Sequence, residues 1–350
     1  MYFPKISIIV PSFNQGRYLE ETLQSVINQQ YPNLELFVVD GGSTDNSVEI
    51  IKKYEQYITW WVSEKDKGQS EAINKGFKKA NGEIINWLCS DDLLTPGALY
   101  KVADYFFKSA EDTGLVHGGT THFYGKRDLL NDWGYSNPSL ERNLSGMAFS
   151  QPSAFVRKKY LDMVGGLVNE NLHYGMDYDL YCRLACVCRF LPVKEIFSSY
   201  RNHKKSKSHV GQSSFISDWN RVFANLCKNA GWDDVINEIA ATGLIEKDLL
   251  SFYYPFSFII NKDVLNTADK KKIVFYHYCY TLRSFYRTGL IGKAKKMSAL
   301  ICKNYPAEWW KTEDGILLIT KRLQLSTALI QVLKKIKSIY DHFILSFRYQ

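Results

Sequence analysis

Residues 5–47 read KISIIVPSFNQGRYLEETLQSVINQQYPNLELFVVDGGSTDNS, and the order of elements in them decides the fold. Residues 5–10 form a near-continuous apolar run of strand length, the pattern of a strand covered on both faces. PSFNQGR supplies a loop, and after it Leu19, Leu23, Val26 and Ile27 recur at helical spacing on one face. Residues 34–40 (LELFVVD) read as a second buried strand, closed by a glycine-rich turn, and the following helix turns Val48, Ile51 and Tyr54 inward. Strand and helix alternating at this spacing specify an α/β layer with a mostly parallel central sheet flanked by helices.

The alternation continues outward. Residues 57–63 (YITWWVS) read as a third strand, 70–80 as a helix burying Ala72, Ile73, Gly76, Phe77 and Ala80, and 83–89 as a fourth strand. Thr95 is the expected cap of the next helix, with Pro96 in its first position and Leu99, Val102 and Phe106 on its buried side. Beyond residue 120 the pattern is less regular, with a turn at Gly165-Gly166 and a helix from Asp177 to about Ala185. From about 216 to 350 the strand pattern is lost and the chain reads as helical. The expected organisation is a domain over 1–215, in halves 1–120 and 121–215, followed by a helical C-terminal region over 216–350.

With 350 residues and 45% hydrophobic content, the chain can bury a substantial core. A net charge of +8 with no single-sign block and no nucleic-acid motif argues against a nucleic-acid partner. That charge is modest for the length and fits an anionic small substrate or an anionic lipid surface about as well as it fits no particular partner. Seven cysteines, an odd number in a long chain, point to a reducing compartment. Cys182, Cys186 and Cys188 lack the paired C-x2-C form of zinc sites and read as core or surface thiols. No charged-then-apolar leader opens the sequence, and no apolar stretch approaches the ~18–20 residues of a membrane span. The expected location is the cytoplasm.

In such sheets ligands gather outside the carboxyl ends of the strands. PSFNQG, DGGSTD and SDD each follow a strand, so all three fall at one edge. Each alone reads as ordinary loop chemistry; three coincident strand-end loops weigh against that reading. The third holds two adjacent carboxylates, Asp91 and Asp92, within INWLCSDDLLTP (residues 85–96). Like charges side by side repel and lose hydration unless something positive sits with them. A divalent cation such as Mg2+ or Mn2+, bridging carboxylates and a polyphosphate, meets that need. A solvated acidic turn is the plainer alternative.

These blocks carry a resemblance. Residues 7–47, DKGQSEAINKG at 66–76 and NGEIINWLCSDDLLTPGAL at 81–99 are followed by QPSAFVRKKYLDMVGGL and GMDYDLYCRLA. In this order they resemble the family 2 glycosyltransferases of the GT-A fold, the inverting group that builds bacterial cell-surface polysaccharides. The likeness covers roughly residues 5–210. It implies a nucleotide-diphosphate sugar donor, foremost a UDP-sugar, a saccharide or lipid-linked saccharide acceptor, and a divalent metal, Mn2+ or Mg2+. By position it implies that Pro11, Ser12 and Asn14 lie along the nucleotide and that Asp40 reads the base or ribose. Asp66, Gln69 and Asn74 would hold nucleotide or sugar. Asp91 matches the last acid of the family's metal motif and touches both metal and donor, Asp92 is the supporting acid, and Asp177 in MDYD matches the general base. This chain departs from the family at Gly41, at Cys89 and at Met176, where an acid is common in each case. The departure at Cys89 makes weaker metal binding the point to check.

Asp179 is the rival base, but two helical steps turn it roughly 200° from Asp177, where it can pair with Arg183 at i+4. His203 and the lysines after it, Lys204, Lys205 and Lys207, form either a loop that closes over a diphosphate or a solvated basic loop. His117, His122 and His173 have no metal-ligand spacing and are expected in structural or surface roles. In the tail, Leu325, Leu329, Val332, Leu333, Ile336 and Ile339 or Tyr340 form an apolar stripe, with Lys334, Lys335 and Lys337 toward the other side. Such a helix either lies on an anionic membrane, giving peripheral contact at the inner face of the cell membrane, or packs on the protein or in a dimer. Two other functions are open: a non-catalytic nucleotide-sugar-binding scaffold, and a nucleotidyltransferase, for which PSFNQGR is a poor match.

Overall fold

The computed structural model describes residues 3–125, 127–134, 138–203, 206–207, 212–250 and 259–335. β1 (Ile6–Ser12) is buried along its whole length. It pairs in parallel with β2 (Leu34–Asp40), register Ile6 to Leu34 and Ser12 to Asp40, and β2 pairs in parallel with β3 (Trp60–Ser63). β4 (Ile84–Trp87) lies parallel to β1 on its other side. Between these strands run α1 (Gly16–Ile27), α2 (Ser47–Lys53) and α3 (Gln69–Lys79). The short β5 (Leu93–Leu94) and α4 (Ala98–Lys108) follow.

The second half of the sheet mixes directions. β6 (Thr113–Tyr124) carries β7 (Arg127–Asp132) as an antiparallel partner. α5 (Leu140–Ser145) leads to β8 (Ala154–Arg157), which inserts antiparallel between β4 and β6. After α6 (Lys158–Met163) and α7 (Met176–Ala185), β9 (Arg189–Arg201) returns parallel to β6. The order across the sheet is β3-β2-β1-β4-β8-β6-β9-β5. The parallel expectation therefore describes β3 to β4, and the remainder is mixed.

Two apolar layers cover the sheet. On one face Ile6, Ile8, Val10, Leu36 and Val38 meet Leu19, Leu23, Ile51, Leu99 and Phe106 of α1, α2 and α4. On the other, Ile9, Phe37 and Val39 meet Ile73 and Phe77 of α3 and a core that continues into the C-terminal helices. Those are α8 (Gln212–Asn229), α9 (Asp233–Ala241), α10 (Lys247–Leu250), α11 (Lys262–Asn266), α12 (Lys270–Thr288), α13 (Ile291–Asn304), α14 (Ala307–Thr312) and α15 (Ile316–Leu323). Residues 327–335 are also helical. None of the described helices is long and apolar enough to cross a membrane.

Some local expectations change. Thr95 does not cap α4: its hydroxyl donates to Ile196 O at 2.6 Å, and Gly97, in the left-handed region at φ 74°, precedes the helix. Tyr57 ends a 3-10 turn before β3, and Ile50 takes the buried place expected of Val48. Lys204, Lys205, Lys337, Ile336, Ile339 and Tyr340 lie outside the described residues.

Candidate active site

The carboxyl ends of β1, β2 and β4 open on one cleft of about 1210 Å³, to which the turn before α7 and the segment after β9 add walls. Pro11, Ser12, Asp66, Gln69, Asp91, Asp92 and Asp177 line it. Asn14, Asp40 and Asn74 do not, because their polar atoms are engaged by the protein itself. Asp40 is fully buried and accepts from the backbone N–H of Gly42 (3.1 Å) and Ser43 (2.9 Å) and from the Ser63 hydroxyl (2.7 Å). It shapes the turn after β2. Asn14, at φ 51°, accepts from Thr44 N at 2.8 Å and ties the first loop to that turn. Asn74 donates to Val168 O (3.0 Å) and Glu170 Oε1 (2.9 Å) and accepts from Val168 N (2.9 Å), fixing the segment below α7.

Gly41 has a steric reason. A Cβ at this position would stand 2.7 Å from Asp66 Oδ2, so the Asp66 carboxylate fills the space that an acid at 41 would need. Burial raises the Asp66 carboxyl above its ordinary value, against the N–H of Gly68. Beside it the Ser12 hydroxyl is buried and has no hydrogen-bond partner among the described residues, while the Phe13 ring is 59% exposed in the cleft.

At the end of β4, Cys89, Asp91 and Asp92 bring one donor atom each to within 4.8 Å of one another. Asp92 is 2% exposed, and its Oδ1 accepts from Arg201 N at 3.0 Å. Burial and the neighbouring Asp91 push its carboxyl well up. Asp91 Oδ2 is 2.8 Å from His203 Nε2, and His203 leans on the Tyr18 ring. Arg201, from the last position of β9, donates through Nε to Asp91 O at 2.9 Å and lies between the rings of Tyr18 and Phe123. Motif reading missed Arg201 and Phe13. An aromatic inside a loop of small polar residues was the available signal for Phe13, whereas no local signal marks Arg201.

Asp177 opens α7, with Tyr178 N donating to its Oδ1 at 2.8 Å. Burial pushes its carboxyl up to about 6, although the Tyr178 N–H and the Lys207 ammonium pull the other way. The turn before it is held by Asp218 of α8, which accepts from Tyr174 N (2.8 Å) and Gly175 N (3.2 Å). Asp179 is fully buried and pairs with Arg183 at 2.8 Å, while Arg183 also donates to Leu167 O at 2.7 Å. It braces the Gly165-Gly166 turn and does not face the cleft. Met176 is buried and its sulfur accepts from the Ser70 hydroxyl at 2.7 Å. His117 is internal, stacked on Phe149 at 4.2 Å and lowered by burial to about 4. His122 and His173, in contrast, line the cleft.

The profile "Glycosyl transferase family 2" matches residues 7–165. An uncharacterized glycosyltransferase of Nostoc sp. is 33% identical over 226 residues, covering 61% of this chain and 69% of the relative. The chain belongs to glycosyltransferase family 2. A second relative, an uncharacterized glycosyltransferase of Rickettsia typhi, is 26% identical over 290 residues, covering 78% of this chain and 87% of its own length. Among solved structures, S. aureus TarS 1–349 in complex with UDP superposes with a TM-score of 0.54 at 16% identity, covering 91% of this chain and 80% of that one. At that identity what is shared is the fold, the GT-A type, and coverage of 91% of the chain takes in most of the helical region. As a family 2 glycosyltransferase, the chain has its strand-end loops and the first turn of α7 open on one cleft.

Proposed function

We propose that this family 2 enzyme transfers a sugar, with inversion, from a nucleotide-diphosphate donor to a hydroxyl of a saccharide or lipid-linked saccharide in cell-surface polysaccharide synthesis. The observation that carries this reading is a single cleft holding the Asp91–Asp92 pair and, on a separate element, a carboxylate raised to about 6. Uridine is the favoured base, in keeping with the UDP bound by TarS.

Each end of the cleft has its own work. The exposed Phe13 ring offers a stacking face for a base, the orphaned Ser12 hydroxyl a partner for the nucleotide, and Asp66 a carboxylate for base or ribose donors. Asp66, whose carboxylate borders the cleft, takes the reading role expected of Asp40. A divalent cation, Mn2+ or Mg2+, fits the chemistry of the donor set: Asp92 is buried against a like charge, and its Oδ2 has no partner among the described residues. Asp91 and Asp92 would hold the cation, which supplies charge neutralisation on the departing diphosphate. Asp177 Oδ1 is occupied by the Tyr178 N–H, leaving Oδ2 to take the proton of the attacking hydroxyl. A carboxylate titrating near 6 is mostly ionised at neutral pH and still basic enough to accept that proton.

Contact with an anionic membrane through the C-terminal helix belongs to the same reading, since a lipid-linked acceptor is found there. Cys89 in place of an acid favours one rival, a nucleotide-sugar-binding scaffold without turnover. Asp177→Asn separates the two. Transfer should fall about 10²–10⁴-fold, while UDP with Mn2+ still raises the melting temperature. Undiminished transfer by the variant would remove Asp177 as base, and a wild type that binds donor yet turns over with no acceptor would favour the scaffold.

A further inference from the structure

Cys89 is the position at which this chain breaks the acidic pattern, and its surroundings treat the sulfur as an acceptor. Gln69 Nε2 donates to Cys89 Sγ at 3.2 Å, and Gln69 Oε1 accepts from Lys207 Nζ at 3.1 Å. The lysine ammonium has only donors. Turning the Gln69 amide over would set its NH2 group against that ammonium, so Lys207 fixes which end faces the sulfur. The sulfur thus lies at the end of a donor relay that begins on a positive charge, an arrangement that stabilises negative charge on it. Facing it are Asp91 and Asp92, the latter 2% exposed with an oxygen unpartnered among the described residues.

We infer that Cys89 is itself a ligand of the donor-site cation, making the site mixed thiolate–carboxylate and turning its preference from Mg2+ toward a softer cation such as Co2+ or Zn2+. This rests on the proposed reading in one respect, that a cation occupies the site. Sulfur favours borderline and soft metals, whereas Mg2+ demands oxygen and keeps its waters. Bonds of about 2.3 Å to sulfur and 2.1 Å to oxygen set three ligand atoms on one centre about 3.4–3.8 Å apart. The observed separations, all within 4.8 Å, therefore close with side-chain movements of up to about an ångström. On binding, the S–H bond breaks, its proton leaves to solvent, and the sulfur lone pair forms the bond to the metal.

The test uses the full chain carrying Cys302→Ser, since Cys302 is the one other cysteine that is not buried. Co2+ alone should bind and produce a near-ultraviolet sulfur-to-cobalt charge-transfer band. Cys89→Ser should remove the band while equilibrium dialysis still finds bound Co2+. Cys89→Asp should shift the Mg2+ to Co2+ affinity ratio at least about tenfold toward Mg2+. Co2+ that binds in an Asp91-dependent way without the band overturns Cys89 as ligand and leaves the metal reading intact. If the wild type shows no Asp91-dependent binding of Co2+, Mn2+ or Mg2+, with or without UDP, the metal reading falls and the ligand assignment with it.

Discussion

Asp177 shows what a reactive carboxyl does to its own fold. Its folded value of about 6 lies above the unfolded 3.8, so the folded state holds the proton more tightly. Ionised at neutral pH, it opposes folding by on the order of 1–3 kcal/mol, a penalty complete above pH 6 and absent below about pH 4. Asp177→Asn, whose side-chain oxygen can still accept from Tyr178 N, should raise the melting temperature by about 2–6 °C at pH 7.5 and leave it unchanged at pH 4. Calorimetry at the two pH values checks this; equal shifts at both would sink it. In the wild type kcat/KM should fall about tenfold per unit below pH 6, and a profile flat to pH 5 would exclude Asp177 as the titrating base. The sequence names such residues better than it aims them. Asp40 and Asn74 were visible as polar residues in motif loops, but Ser63 and Val168, 23 and 94 residues away, engage their side chains. Whether a loop side chain meets ligand or its own backbone depends on atoms that chain order does not bring near.

At the scale of elements, legibility followed the reach of the pairing. β2 appears over the residues its apolar run marked, because a strand buried on both faces needs no alternation to be seen. β6 and β9 escaped notice: one is crossed by Gly114, Gly118 and Gly119, the other holds Pro192 and charged residues, and they join across some 75 residues with register shifts. The helical region binds back to the domain through a contact equally remote in sequence. Glu313, after α14, pairs with Arg142 of α5 at 2.7 Å and Arg283 of α12 at 2.6 Å, all nearly buried. Burial opposes its ionisation, yet the two guanidinium groups outweigh it and hold the carboxyl below the ordinary value. Glu313→Ala would leave two cations in a dry interface and should lower unfolding stability by about 3–5 kcal/mol, read by urea denaturation. Loss of less than about 1 kcal/mol would mean the pair is solvated in the native state. In the wild type this contribution is present above the unfolded glutamate pKa and is lost as pH falls through the lower folded value.

For the whole molecule, the shared core decides how the tail can be tested. The cluster that begins with Ile9 of β1 runs through Phe223 and Tyr278 to Ile330, so cutting the chain before 320 would remove buried side chains along with exposed ones. The final described helix presents a finer handle. Ile330 is 1% exposed and Lys334 donates to Tyr286 O at 2.6 Å, which fixes one side of this helix to the end of α12. Leu329, Val332 and Leu333, spaced i, i+3 and i+4, are all exposed, with Lys335 exposed beside them. Burying such side chains is worth about 1.5–3 kcal/mol each, and nearby cations add attraction to anionic headgroups that salt weakens. In flotation with phosphatidylglycerol–phosphatidylethanolamine vesicles, replacing the three by Asp should cut the bound fraction at least about tenfold. Urea unfolding should move little, because none of the three is buried. High salt should weaken wild-type binding, and vesicles of neutral lipid alone should bind it less. Equal flotation of wild type and variant would sink the membrane reading of this helix and leave the cleft chemistry untouched, since none of its described residues lines the cleft.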